Sequence, residues 1–135
     1  MLEILVVDIE TAVIDFNKNK WNPENCLICE IGIVNLNLDS GEIKPVFNQT
    51  CREGNSPDPK SWIIKNTQMA CKMIDESPYF KGFKDKLQEI FNSKPVTSWN
   101  HEFDFQHLEH PSRFLTIPTK FWDPKHALKD FENPV

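Results

Sequence analysis

The run Ile4-Leu5-Val6-Val7, followed at once by Asp8-Ile9-Glu10-Thr11, constrains this chain more than any other feature. Four consecutive apolar residues, two of them β-branched, predict a strand that is buried on both faces. Side chains two positions apart on a strand share a face, so Asp8 and Glu10 project side by side if the strand continues through them. Adjacent carboxylates repel each other and are costly to desolvate, and a hard cation such as Mg²⁺ relieves both effects. The alternative is a strand that has left the core, followed by two solvated acids.

A second acidic motif follows another short apolar stretch. Val96-Thr97-Ser98-Trp99-Asn100-His101-Glu102-Phe103-Asp104 predicts a strand, a turn and the start of a helix. Asn100 is suited to the N-cap of that helix, and Asp104 then lies one turn inside it. The alternative is a capped surface helix with a solvated aspartate.

Together these motifs resemble the DEDD 3′–5′ exonuclease superfamily, in its DEDDh-like branch, which includes RNase T, proofreading exonucleases and oligoribonuclease. Val7-Asp8-Ile9-Glu10-Thr11 is similar to the first motif, and Asn100-His101-Glu102-Phe103-Asp104 with Leu108 is similar to the second. Residues 28–34 and 73–80 also match the family, whereas Thr67-Gln68-Met69-Ala70 replaces its usual His-Gly-Ile-Thr.

The resemblance implies an α/β, RNase H-like fold, with a mixed five-stranded sheet and flanking helices. It implies hydrolysis of phosphodiester bonds at the 3′ ends of single-stranded DNA or RNA, with two Mg²⁺ or Mn²⁺ ions. Several members of the superfamily form homodimers, so a homodimer is also implied, although no sequence feature marks an interface. The implied metal-binding and catalytic carboxylates are Asp8, Glu10 and Asp104, and the implied substrate-binding residues are Thr11, Asn100 and Phe103.

The family's last motif is only partly matched. It contains a His and an Asp separated by four residues, whereas His126 and Asp130 are separated by three. On one interpretation, His126 handles the attacking water and Asp130 is the fourth metal-binding carboxylate. On the other, Asp123 ends the fifth strand, residues 126–135 begin a helical insert, and the third motif is missing because the chain is truncated. That second interpretation also implies an alternative function, a catalytically weak or inactive metal- and nucleotide-binding module.

Length and composition fit one domain, placed at residues 1–135, with a substantial core. A net charge of −5 is unusual for a generic nucleic-acid binder and argues against tight binding to long duplexes. Bound divalent cations and a few local lysines can offset it at a nuclease site. Met1 lies so close to the first strand that we expect no signal peptide, and hence a cytoplasmic protein.

The remaining sequence features give more local predictions. Cys26 and Cys29 have the spacing of half a zinc site, but without a second close pair we favour free thiols. Aromatic residues near the second motif are candidates for stacking on terminal bases, namely Trp99, Phe103 and Phe105. We predict strands over 2–8, 28–38, 42–50, from 95, and over 119–122, and helices over 60–73, from Ser77-Pro78, over 101–110, and after Asp123-Pro124.

Overall fold

The protein has an α/β fold in which a single four-stranded sheet packs against short helices. The structure is a computed structural model, and it describes residues 2–121. Short 3₁₀ turns over Pro23–Asn25, Phe80–Phe83 and Pro111–Arg113 join some of the elements. In chain order, the elements are β1 (Glu3–Val13), β2 (Cys26–Asn37), β3 (Ile43–Thr50), α1 (Trp62–Asn66), α2 (Cys71–Asp75), α3 (Lys84–Ser93), β4 (Val96–Thr97) and α4 (His101–Leu108).

The sheet is mixed, as predicted, with the strand order β3-β2-β1-β4. β1, β2 and β3 form an antiparallel meander, and β4 pairs with β1 in parallel. β3 lies at an edge of the sheet. Pro45, which has no N–H to donate, is tolerated there because no further strand pairs with the outer side of β3. The prediction of five strands is wrong for the described part of the chain. Lys120 makes only an isolated parallel bridge to Val96, because the short stretch after Pro118 exchanges hydrogen bonds with that single residue.

β1 is longer than predicted, and its extra length positions the first acidic motif. The predicted strand ends at residue 8, whereas β1 continues to Val13. Its pairing with β2 shifts register between Glu10 and Thr11. Asp8 and Glu10 therefore lie inside the strand, where alternation places them on one face.

Two apolar clusters occupy the two faces of the sheet. Neighbouring β2 residues alternate between them, since Ile28 belongs to one cluster and Leu27 and Cys29 to the other. The smaller cluster packs the sheet against α1 and α2 through Ile63 and Ile74. The larger cluster packs the other face against α3 and α4, and its buried members include Leu5, Val7, Ile9, Ile31, Ile33, Phe80, Leu87, Phe91, Val96, Phe105 and Leu108.

The helices differ from prediction mainly at their ends. The helix predicted over 60–73 is two shorter helices, α1 and α2. Ser77 does not cap the next helix, because its Oγ donates to the Met73 carbonyl at 2.6 Å. A 3₁₀ turn comes first, and α3 begins only at Lys84. No helix within residues 2–121 has both the length and the apolar character needed to cross a membrane.

Candidate functional site

The first part of the candidate site is a concentration of negative charge on β1. Asp8 is exposed and Glu10 is half-buried. Although Asp8 keeps contact with solvent, the neighbouring protein displaces part of the water around both carboxyl groups, and this desolvation raises the pKa of both. The charges of Asp8 and Glu30 raise the pKa of Glu10 further, and Glu30 lies opposite Glu10 in the β1–β2 register. This arrangement disfavours ionised carboxylates and would be relieved by a bound cation.

The second acidic motif lies on α4, directly after the end of the sheet. Asp104 is only 3% exposed and accepts a hydrogen bond from Ser98 Oγ. Its backbone N–H donates to the Asn100 carbonyl at 2.9 Å. Asn100 occupies the N-cap position as predicted, but its side chain makes no capping hydrogen bond. Asp104 thus lies one turn inside the helix, in the position predicted from the sequence.

The two acidic motifs do not form a complete metal site by themselves. Within residues 2–121, no three His, Cys, Asp or Glu side chains are grouped so that they could hold a metal ion together. Asp8 and Glu10 nevertheless suit a hard cation, because both offer oxygen ligands and a bound cation would offset the desolvation and like charge that raise their pKa values. The residues of the predicted third motif, His126 and Asp130, lie outside the described residues, as does Asp123.

A cavity of about 630 Å³ adjoins the acidic strand. It brings together Glu10 and Thr11 from the first motif with Phe103 from the second. The ring of Trp21 meets the Phe103 ring edge-on, with a centroid distance of 6.3 Å. The other charged or aromatic side chains that line the cavity are Phe16, Lys20, Lys60, Trp62 and Lys65.

The wall of this cavity that α1 provides is tied to the end of β1. The Val13 N–H donates to Ser61 Oγ at 3.0 Å, and Ser61 Oγ lies 3.3 Å from the Val13 carbonyl oxygen. The Phe16 N–H donates to Asp58 Oδ2 at 2.9 Å. These bonds hold Trp62, the first residue of α1, beside the cavity even though α1 is only five residues long.

Sequence reasoning identified some of the cavity's aromatic side chains and missed others. Phe103 lines the cavity, whereas Phe105 is 6% exposed and belongs to the core, so its predicted stacking role is wrong. Trp21 and Trp62 were not predicted, although they are 74% and 69% exposed. The signal that could have found them is a tryptophan next to or near a lysine in two polar segments, as in Lys20-Trp21.

The cysteines behave as free thiols in the described part of the chain, as expected. Cys26 Sγ lies 3.2 Å from the Lys20 carbonyl oxygen, and Cys29 Sγ lies 3.4 Å from that of Glu10. Burial, together with the charges of Glu10 and Glu30, raises the pKa of Cys29 to about 12. Within residues 2–121, no third His, Cys, Asp or Glu side chain joins Cys26 and Cys29 in a group that could hold a metal ion.

The chain matches one protein family along most of its length. The family model RNase_T, whose description is Exonuclease, matches residues 5–130. A comparison with curated protein sequences gave no match.

Solved structures of exonucleases share the fold of this chain. Exonuclease I from Methylocaldum szegediense is 18% identical with a TM-score of 0.67, and the match covers 98% of this chain and 30% of that one. The nuclease domain of 3′hExo, a DEDDh family member bound to rAMP, is 16% identical with a TM-score of 0.63. That match covers 98% of this chain and 72% of the 3′hExo domain. E. coli Exonuclease I in complex with a dT13 oligonucleotide is 11% identical with a TM-score of 0.63. That match covers 98% of this chain and 30% of the E. coli protein.

At these identities the likeness shows the fold, and it confirms the predicted RNase H-like architecture. The chain spans less than half the length of several exonucleases that share its fold. The match covers 30% of the two Exonuclease I proteins named above and 45% of a further structure, a 3′-exonuclease that recognises the histone mRNA stem-loop.

Proposed function

Because the chain belongs to the RNase T family of exonucleases, we propose that it is a metal-dependent 3′–5′ exonuclease acting on single-stranded nucleic acid. One observation carries the proposal. Glu10 and Thr11 of the first motif and Phe103 of the second line the same 630 Å³ cavity, although more than 90 residues separate them in the chain. A cavity with apolar walls and a few polar groups is the usual form of a small-ligand site.

Asp8 and Glu10 are proposed to hold divalent cations. Asp104 stays a proposed further ligand, although the structure of residues 2–121 does not group it with the other two around one ion. When bound, such ions lower the pKa of a coordinated water and stabilise the leaving 3′ oxygen. Of the two interpretations of the third motif, the proposed one keeps His126 as the base that takes a proton from the attacking water and Asp130 as the fourth carboxylate. An ordinary histidine titrates near pH 6.5, which suits that role.

The lining of the cavity favours a single strand over a duplex. The side chains of Trp21, Trp62 and Phe103 offer ring surfaces on which unpaired bases stack, whereas bases in a duplex are already stacked on each other. Lys20, Lys60 and Lys65 line the same cavity and can neutralise phosphates beside the acidic strand. The E. coli Exonuclease I structure, which holds a dT13 oligonucleotide, is a precedent for a single strand on this fold.

The test is degradation of DNA and RNA strands of 12 nucleotides labelled at the 5′ end, with Mg²⁺ or Mn²⁺ present. We expect a ladder of labelled products that shorten from the 3′ end, together with released mononucleotides. Asp8→Asn and Asp104→Asn should abolish the ladder, whereas Asp85→Asn, an exposed change at the start of α3, should leave it intact. Release of the label as a mononucleotide in the first turnover, or full activity in Asp8→Asn, would contradict the proposal.

A second candidate function is a nucleotide-binding module with little or no turnover. It is favoured by the lack, within residues 2–121, of any three-residue group able to hold a metal ion. Calorimetry with Mn²⁺ and AMP, run beside the strand assay, separates the two candidates. Binding without turnover supports the module, and turnover of about 1 s⁻¹ or faster rejects it.

A further inference from the structure

A second groove, of about 620 Å³, shares none of its lining residues with the first cavity. The two are neighbours in the chain at two points. Val13 lines the cavity and Ile14 lines the groove, and Trp21 lines the cavity while Pro23 lines the groove. The same two segments of the chain therefore border both the cavity and the groove.

The second groove is basic, although the protein as a whole has a net charge of −5. Arg52, Lys81 and Lys84 line it, and among residues 2–121 none of the three has a carboxylate within ion-pair distance. The carboxylate of Glu53, which also lines the groove, is already held by the Arg113 guanidinium at 2.7 Å. Four Arg and Lys side chains thus line the groove against two carboxylates, Glu24 and Glu53, and leave it a net positive charge.

Two exposed rings line the same groove. Tyr79 is 45% exposed and Phe114 is 78% exposed. The Arg52 guanidinium lies 4.0 Å from the Tyr79 ring centroid, and Lys84 Nζ lies 5.3 Å from that of Phe114. Rings interleaved with cations are the arrangement by which proteins bind single strands, since bases stack on the rings while cations meet the phosphates.

Local backbone and side-chain features set these groups apart from an ordinary surface. Phe114 has a φ of 56°, in the left-handed region that bulky residues rarely adopt. Such strain persists where the surrounding structure holds it, and it is often found at functional sites. Arg52 Nε is shielded from solvent and has no hydrogen-bond partner among the described residues, so a phosphate in the groove would reach this donor only if the side chain moves.

We propose that the second groove binds the single strand upstream of its 3′ end, while the terminal nucleotide occupies the first cavity. The inference rests on the proposed function for the choice of ligand. Phosphates of the upstream nucleotides lie against Arg52, Lys81 and Lys84, and their bases stack on Tyr79 and Phe114. Affinity therefore increases with strand length, even though the reaction takes place at the last bond.

The test is fluorescence anisotropy with 5′-labelled strands of 12 and 3 nucleotides in EDTA, so that turnover does not contribute. We expect Lys81→Glu/Lys84→Glu to weaken binding of the 12-mer about 10-fold and to leave the 3-mer unchanged. Two lost phosphate contacts should also reduce the slope of log K against log salt by about 1.4. Phe114→Ala should weaken the 12-mer about 5-fold through lost stacking. The matched control is Lys72→Glu/Lys86→Glu, which changes the charge equally at exposed positions outside the groove.

Binding of the 12-mer by Lys81→Glu/Lys84→Glu within twofold of the control variant would overturn the groove proposal. So would a parent protein that binds 12-mer and 3-mer equally. Failure of the proposed function has a different signature, because no strand is then degraded with Mg²⁺ or Mn²⁺ whatever the groove variants bind. A thermal melt of each variant shows whether it is folded.

Discussion

Replacing Arg113 by Met is expected to destabilise the fold by about 3–5 kcal/mol, the usual cost of removing one partner from a buried ion pair. The Arg113 side chain is buried, and its guanidinium joins three segments of the chain. It binds Glu53 through Nε at 2.9 Å and Nη2 at 2.7 Å. It also donates to the carbonyl oxygens of His107 at 2.7 Å and Cys26 at 3.2 Å. These four hydrogen bonds, which we call the Arg113 clamp, thus fix the end of α4 against the start of β2.

The expected magnitude follows from what Met leaves behind. The Glu53 carboxylate loses a bidentate partner and keeps the 2.8 Å hydrogen bond from the Ile28 N–H. Two carbonyl oxygens also lose a charged donor, and the guanidinium's packing volume is only partly replaced. A loss of this size is a large share of the roughly 5–15 kcal/mol that stabilises a typical domain.

Urea denaturation measures the effect. Glu53→Gln, which keeps an acceptor for Ile28, should offset part of the loss, so the double variant should be more stable than the sum of the single changes predicts by about 0.5–3 kcal/mol. Lys72→Met, an exposed change that removes the ion pair with Glu76, should cost no more than about 0.5 kcal/mol. A loss of less than about 1 kcal/mol in Arg113→Met would refute the clamp.

Three further predictions concern the site and its surroundings. Asp8→Asn should raise the unfolding free energy in EDTA at pH 7 by less than about 1 kcal/mol, because folding raises the pKa of Asp8 while solvent screens this exposed carboxylate; urea titrations should show that the gain disappears below about pH 4, where the carboxyl is protonated in both states. Burial lowers the pKa of His107, so the folded state binds this proton more weakly than the unfolded state and loses stability as the pH falls below about 6.5, the ordinary histidine value; His107→Gln should remove that step from the stability profile, and an unchanged profile would contradict it. Trp62→Ala should raise KM about 5-fold or more while kcat changes little, as steady-state kinetics would show, and a selective fall in kcat would argue against a stacking role.

The sheet could be predicted from the sequence because its signals are local. Apolar runs marked β1, β2 and β3, and Gly41, which has a φ of 77°, allows the turn between the second and third of these strands. The prediction of a fifth strand was wrong because a short extended stretch forms a strand only if a neighbouring strand continues beside it. The neighbour here, β4, is only two residues long. The prediction of a helix start at Ser77-Pro78 was wrong because the Ser77 hydroxyl donates a hydrogen bond to a carbonyl of the preceding helix, α2.

The candidate site could be predicted only where it follows from motifs on β1 and α4. Glu10, Thr11 and Phe103 line one cavity because these elements meet in the fold. Trp62 could not be found in the same way, since its place depends on the bond between Ser61 and Val13, 48 residues apart. The second groove depends on contacts of this long-range kind throughout. The roles of the acidic residues stay predictions.

A crystal structure of the full chain with Mn²⁺ and AMP tests the central claim most directly. We predict anomalous density for Mn²⁺ between the carboxylates of Asp8 and Glu10, with the adenine ring beside Phe103 and the exposed tryptophans of the cavity. The same structure would show whether His126 and Asp130 reach the metal. Mn²⁺ bound away from Asp8 and Glu10, or AMP bound outside the cavity, would contradict the account.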